Sequence, residues 1–164
     1  MAELTTDRVW QVLEKELFAV LGMVTARGEA RTVGVIYGVR DRKLYIATRK
    51  DAWKARHVAQ NPHVSITIPI AKRIPLLPWF KIPAATITFQ GEAQVMGANS
   101  VDADILSAIF RGMVNDEELL ANSSVIVVTP VGEFITYGVG VSLMQMRDAA
   151  KARGRVATAE EAPE

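Results

Sequence analysis

The sequence contains no cysteine, and this absence removes several classes of structure and activity from consideration. Without cysteine the chain forms no disulfide, offers no thiolate nucleophile and cannot bind zinc or an iron–sulfur cluster through sulfur. Histidine is almost as scarce, because His57 and His63 are the only two. Neither has a recognisable spacing to carboxylates, so no metal site is predicted. The sequence identifies no catalytic residue.

The chain also lacks a strong net charge and a long uninterrupted apolar run. Nineteen Lys and Arg residues against eighteen Asp and Glu residues give a net charge of +1. No overall field therefore attracts nucleic acid or an anionic membrane, and any anion site must be local. The longest apolar stretches are interrupted by Gly22 or by Pro75, Pro78 and Pro83. We expect a cytoplasmic protein with neither nucleic acid nor membrane as a partner.

The remaining composition, 164 residues with 49% hydrophobic and 23% charged, is that of a compact domain. Strand patterns occur at residues 18–26, 31–39, 44–48, 64–69, 86–96, 125–129 and 133–139, the last two as a hairpin around residues 130–132. Helices are predicted at about 6–17, 51–61 and 100–109. The first three strands are joined by turns too short for the crossovers that parallel strands need.

These patterns predict a mainly β fold, a six- to seven-stranded antiparallel barrel with peripheral helices. We expect the domain to occupy residues 1–147. Residues 148–164 are polar and rich in alanine, and they are predicted to form a flexible tail.

The stretch from Leu44 to Pro62 suggests phosphate chemistry, because a strand ends in a hydroxyl and two cations just before a helix. The free N–H groups and the dipole of a helix's first turn attract anions. Thr48 can donate a hydrogen bond, Arg49 can grip two phosphate oxygens, and Lys54 adds charge in the first turn. The alternative is a solvated basic turn, which is the commoner origin of such charges.

A second feature is the face of the second strand that carries Thr32, Gly34, Ile36 and Gly38. Its two glycines leave a shallow strip on which a flat ring can lie. The alternative is a barrel corner, because glycine inside a strand often marks a bulge.

Three motifs follow one another along the chain: Arg-Thr-Val-Gly-Val at 31–35, Tyr-Ile-Ala-Thr at 45–48, and Trp-Lys-Ala-Arg-His at 53–57, which precedes Asn-Pro-His-Val-Ser at 61–65. In this order they resemble the pyridoxamine 5′-phosphate oxidase-like, FMN-binding split-barrel flavoproteins, over roughly Val9 to Val139. The resemblance implies an antiparallel split barrel, an FMN cofactor and a homodimer with flavin sites at the subunit interface. The apolar segment Pro75 to Phe80 is a further reason to expect a dimer.

The resemblance also implies which residues hold the cofactor. In that family the strand matching Thr32 to Ile36 lies along the flavin ring, and the matches of Ala47, Thr48 and Lys54 hold the phosphate. The cofactor-binding residues implied are Thr32, Val33, Gly34, Val35, Ala47, Thr48, Lys54 and Thr86. Arg49 is added on its charge and position, not on the family pattern.

Two positions depart from the pyridoxamine-phosphate oxidases, which have arginine where this chain has Trp53 and lysine where it has Tyr37. That lysine is associated with the substrate's phosphate. We therefore expect an FMN-dependent oxidoreductase that acts on a different small-molecule substrate, which the sequence does not identify. The alternatives are an F420-dependent reductase, or a non-catalytic flavin or haem carrier or sensor.

Overall fold

The structure, a computed structural model, describes residues 4–71, 84–110 and 116–159. Its strands are β1 Phe18–Val24, β2 Ala30–Ile36, β3 Gly38–Arg40, β4 Lys43–Arg49, β5 His63–Ile70, β6 Ala85–Gly97, β7 Ser123–Tyr137 and β8 Arg153–Ala157. Its helices are α1 Thr6–Leu13, α2 Trp53–Gln60, α3 Ala103–Ile109, α4 Glu117–Ala121 and α5 Ala149–Ala152, with short 3-10 turns at Ala98–Ser100 and Gln145–Arg147. The segment Pro75 to Phe80 lies outside the described residues.

The strands form one antiparallel sheet in the order β2-β1-β5-β6-β7-β4-β3, and β8 pairs with β7 beyond this path. The path ends with β2 at one edge and β3 at the other, although only Tyr37 separates these strands in sequence. The two edges must therefore lie close together, which requires the sheet to curl into a half-barrel. The predicted fold class, a mainly β antiparallel split barrel with peripheral helices, is confirmed.

The core fills the inside of the curled sheet. Alternate residues of β1, β4 and β5 point inward, and α1 packs Val9, Trp10 and Leu13 against them. Trp10 and Phe89 each meet Phe134 edge to face, with ring centroids 5.4 and 5.2 Å apart. The helix begins where predicted, since the Thr5 side chain accepts a hydrogen bond from the Arg8 N–H.

A second apolar cluster lies on the outer side of β4 and β7, beneath α3. Ile105, Leu106 and Ile109 of that helix pack against Val125 and Val127. Because side chains alternate along a strand, β4 contributes Leu44 and Ile46 to the inner core while Tyr45 and Ala47 face the second cluster. This alternation decides which residues of β4 can line an outer site.

Three elements differ from the sequence prediction. The two strands expected as a final hairpin are one strand, β7, which bulges where Phe89 of β6 passes the segment at 132–134. The helix predicted to reach Leu17 ends at Leu13, and Leu17 is exposed. Residues 148–164 were expected to be a flexible tail, but α5 and β8 lie within this segment, and β8 pairs with β7 from Glu133 to Tyr137.

Among the described residues, no helix combines the length and the apolar composition needed to cross a membrane.

Candidate functional site

A groove of about 370 Å³ lies on the outer side of the sheet, where the end of β2 approaches the end of β4. We call it the Lys54 groove. Its lining residues come from β2, β4, the first turn of α2 and the end of α3, and they are Gly34, Val35, Ile36, Ala47, Lys54, Ile109 and Phe110. The groove thus brings together four residues that the sequence predicts to bind the cofactor.

Lys54 is the only charged residue that lines this groove in the part of the chain that the structure describes. It lies in the first turn of α2, whose N-cap residue Ala52 provides no side-chain hydrogen bond to the helix. Asp51, two residues before the helix, pairs with Arg49. An uncapped helix N-terminus leaves N–H groups free, and together with the Lys54 ammonium group these favour an anion.

Thr48 is the next residue after Ala47 and faces the opposite side of β4. It is buried on the side of Leu44 and Ile46, and its Oγ1 has no hydrogen-bond partner among the described residues. His57 Nδ1, on α2, is likewise buried and unpaired within the described residues. Buried polar atoms almost always find a partner. Neither Thr48 nor His57 lines the Lys54 groove, so the structure does not bring the predicted Thr48 hydroxyl to this site.

Arg49 is not brought to the Lys54 groove. Its side chain is 78% exposed. Its Nε and Nη2 atoms donate to the two carboxylate oxygens of Asp51 at 3.0 and 2.8 Å. It lines a separate groove together with Asp116 and Glu118. An arginine held by one carboxylate and near two others is poorly placed to attract a phosphate.

Thr32, Val33 and Thr86 also lie away from the Lys54 groove. Val33 packs against the inner core. Thr86 lies on β6 between Pro69 of β5 and Tyr137 of β7. Thr32 lines another groove, of about 340 Å³, on the outer face of the sheet. The predicted strip along β2 therefore belongs to two grooves, one at each end of the strand.

The strip is also not free of side chains. The ring of Phe18, on the neighbouring strand, lies against Gly34, so that a Cβ added there would be 2.8 Å from Phe18 Cε2. Phe18 is nevertheless 47% exposed. Gly34 is required for this close approach, and a flat ligand on the strip would meet the ring of Phe18 first.

Tyr37, one of the two departures from the oxidase pattern, is a structural residue. Its side chain is buried, and its hydroxyl donates to the Leu13 carbonyl at 2.8 Å, which ties the end of α1 to the sheet. Burial, together with the charge of Glu16, raises the pKa of Tyr37 well above its usual value. Trp53, the other departure, is partly exposed and packs edge-on against His57.

The sequence reading missed Ile109 and Phe110 as groove residues. Their apolar spacing predicts a helix face that packs, but it does not say against what. In the structure Gly38 allows α3 to approach the sheet, since a Cβ there would lie 3.0 Å from Ile109 Cγ2. The end of α3 consequently reaches β2 and becomes one wall of the groove.

The sequence matches one family model, and the fold matches several solved structures. The family model described as pyridoxamine 5′-phosphate oxidase matches residues 5–136. An FAD-binding protein from Mesorhizobium loti is 16% identical with a TM-score of 0.59, over 77% of this chain and 90% of that one. A haem-binding protein from Mycobacterium smegmatis is 17% identical with a TM-score of 0.63, over 96% and 60% of the two chains.

An F420 reductase is 16% identical with a TM-score of 0.56, over 82% of this chain and 98% of that one. No curated protein sequence matches the chain. At these identities the solved structures support the fold, whereas the family model rests on the sequence itself.

Proposed function

The chain belongs to the pyridoxamine 5′-phosphate oxidase family, and on that basis we propose that it is an FMN-binding oxidoreductase whose Lys54 groove holds the flavin phosphate. The observation that carries the proposal is the position of Lys54. This cation makes no ion pair with any described residue and lies at an uncapped helix N-terminus, facing a groove lined otherwise by apolar and small residues. One anionic end and an apolar body are the features of a ligand that suits such a groove.

The residues present fit a flavin nucleotide. A volume of about 370 Å³ falls within the range of small-molecule sites. Lys54 and the first turn of α2 can hold the phosphate, and the small side chain of Ala47 leaves room for the body of the ligand. Arg49 is not part of this proposal, because Asp51 already holds it.

When bound, FMN supplies the redox chemistry, since its N5 accepts or donates a hydride. The chain's own residues bind the flavin and orient it. Lys54 fixes the charged end, while Ile109 and Phe110 form an apolar wall that excludes water from one side of the groove. Pyridoxamine phosphate is not the proposed substrate. Tyr37, at the position of the oxidases' phosphate-binding lysine, is buried and bonded to Leu13.

We further propose a homodimer with flavin sites at the subunit interface. The outer face of the sheet carries exposed apolar side chains on three strands, namely Phe18 of β1, Ile36 of β2 and Ile135 of β7, each between 43% and 50% exposed. Exposed apolar surface of this kind marks an interaction site. Since β2 contributes both to this face and to the Lys54 groove, a second copy on the face would lie beside the cofactor.

Two alternatives keep the same groove and change the cofactor or the activity. F420, also a phosphate-bearing ligand, would use Lys54 in the same way. A carrier or sensor would bind a flavin or haem without turnover, and a haem-binding protein is among the structures of similar fold.

Stopped-flow spectroscopy tests the proposed activity. FMN-loaded protein is mixed anaerobically with NADH or NADPH and then with oxygen or a quinone. An oxidoreductase is expected to lose and regain its flavin absorbance with both partners over repeated cycles. A protein that binds FMN but is reduced only by dithionite, and by none of the nicotinamide donors, would be a carrier.

A further inference from the structure

The groove that contains Thr32 is built from a straight row of residues across five neighbouring strands. Thr32 of β2 faces Gly22 of β1, which faces Ser65 of β5, and Ser65 in turn faces Gln90 of β6. Val131 of β7 completes the row opposite Gln90. We call this site the Thr32 groove. Strands lie about 4.8 Å apart, so Thr32 and Gln90 are separated by roughly 14 Å across the sheet.

Three polar side chains of this row have no hydrogen-bond partner in the part of the chain that the structure describes. The hydroxyls of Thr32 and Ser65 and the amide of Gln90 make no hydrogen bond with any described residue, and all three residues are exposed. The next row of the same face differs, because there the hydroxyls of Thr67 and Thr88 bond each other at 3.2 Å. The hydroxyls of one row thus form a hydrogen bond with each other, whereas the polar groups of the neighbouring row can form hydrogen bonds with a ligand.

Gly22 lies in the middle of the row and has no side chain. A Cβ at this position would clash with Ser65 Oγ, so glycine allows the Ser65 hydroxyl to lie across β1. Gly22 is one of the residues that line the groove of about 340 Å³. A groove that runs across the exposed face of a sheet suits a planar molecule.

The groove offers hydrogen bonds from uncharged side chains and from the imidazole of His63, which also lines it. Arg31, which also lines it, is paired with Glu29 at 2.8 Å. The hydroxyls and the amide both donate and accept, so together they match a ligand whose own donors and acceptors alternate along one edge. A charged ligand would find no unpaired lysine or arginine among the residues that line the groove.

We propose that the Thr32 groove binds a planar, uncharged heterocyclic amide, and that Ser65 and Gln90 are its recognition residues. Thr32 lies two positions before Gly34 along β2, roughly 7 Å away, so the groove adjoins the Lys54 groove along one strand. The idea that this ligand is the substrate rests on the proposed function. The binding of the ligand is independent of the proposed function, because the two grooves share no lining residue.

Ligand-observed NMR with nicotinamide and with uracil tests the proposal on the full chain. Each neutral hydrogen bond contributes about 0.5 to 1.5 kcal/mol, so Ser65→Ala and Gln90→Ala should each weaken the binding of at least one probe roughly two- to tenfold. Gln94→Ala is the matched control, because Gln94 is an exposed glutamine on the same strand outside the groove. Its affinity for both probes should equal that of the wild type.

FMN titration of the same four proteins separates this proposal from the proposed function. All four are expected to bind FMN equally, because none of the three substituted residues lines the Lys54 groove. Wild-type protein that binds neither probe, or variants that bind both probes as well as the wild type, would overturn the Thr32 groove as a ligand site. Failure of FMN binding in all four would instead contradict the proposed cofactor.

Discussion

Replacing Lys54 by alanine should weaken FMN binding far more than the same change at Arg49. Both residues carry the charge that a phosphate needs; Arg49 is the last residue of β4, and Lys54 lies in the first turn of α2. They differ in their surroundings. Lys54 is half-buried in the groove and makes no ion pair with the described residues, whereas Arg49 is 78% exposed and bound to both oxygens of Asp51.

The structure sets the size of each effect. A hydrogen bond to a charged group contributes about 1.5 to 3 kcal/mol, which for Lys54→Ala is a loss of roughly tenfold to a hundredfold in FMN affinity. Arg49 would have to leave Asp51 and cross to another groove before it touched the phosphate. An exposed ion pair is itself weak, about 0 to 1 kcal/mol, and Arg49→Ala is expected to change FMN affinity by no more than about twofold.

Flavin fluorescence titration measures both variants against a third, Lys50→Ala. Lys50 is an exposed lysine between the other two in sequence and outside the Lys54 groove. Riboflavin, which has no phosphate, gives the second control. Wild-type, Arg49→Ala and Lys50→Ala proteins should all prefer FMN to riboflavin, and Lys54→Ala should lose most of that preference. An equal loss in Arg49→Ala and Lys54→Ala would refute the distinction drawn from their surroundings.

The remaining predictions concern stability and assembly. Truncation after Arg147 should lower the free energy of unfolding by about 3 to 6 kcal/mol and the Tm by roughly 6 to 20 °C. The truncation removes β8 and the Thr158 carbonyl that accepts from Trp10 Nε1. An unchanged melting curve would contradict the role of β8. Tyr37→Phe should cost about 1 to 3 kcal/mol by leaving the Leu13 carbonyl unpaired, with FMN affinity unchanged. Since burial raises the pKa of Tyr37, wild-type stability should fall as the pH rises past the ordinary tyrosine value of about 10, and urea denaturation should show a smaller fall in Tyr37→Phe. Sedimentation should give twice 17.9 kDa for the wild type and a shift toward the monomer for Ile36→Glu, whereas a wild type at 17.9 kDa would rule out the dimer.

The apolar run of β1 and the alternating patterns of β2 and β5 made much of the sheet predictable from sequence. Turn residues between β1 and β2 separate these two strands in the sequence. The family motifs added the split-barrel topology, which the patterns alone do not specify. The antiparallel, mainly β class therefore followed from local information.

The C-terminal half was less predictable because its structure depends on distant partners. Pro130, Val131 and Gly132 have the composition of a turn, yet they lie in a continuous strand that bulges opposite Phe89, with Gly132 at a φ of 74°. β8 is polar at most positions and has little strand signal of its own. It is held by pairing to β7 and by contacts of its end with α1, such as Thr6 Oγ1 to the Ala157 carbonyl at 2.9 Å.

For the site, the sequence predicted which residues line the groove better than it predicted which side chains contact one another. Gly34, Val35, Ala47 and Lys54 do line one groove. The sequence contains Asp51 two residues after Arg49, but only the turn geometry decides that the two side chains pair. Phe18 is far from Gly34 in sequence, and its ring reaches the strip because β1 and β2 are adjacent.

The most direct test of the account is a titration of the purified protein, stripped of any bound small molecule, with FMN, F420 and haemin in turn, followed by absorption spectroscopy and native mass spectrometry. The account predicts that FMN binds with one molecule per chain, more tightly than the other two. Saturable binding of F420 or haemin by a protein that does not bind FMN would contradict it.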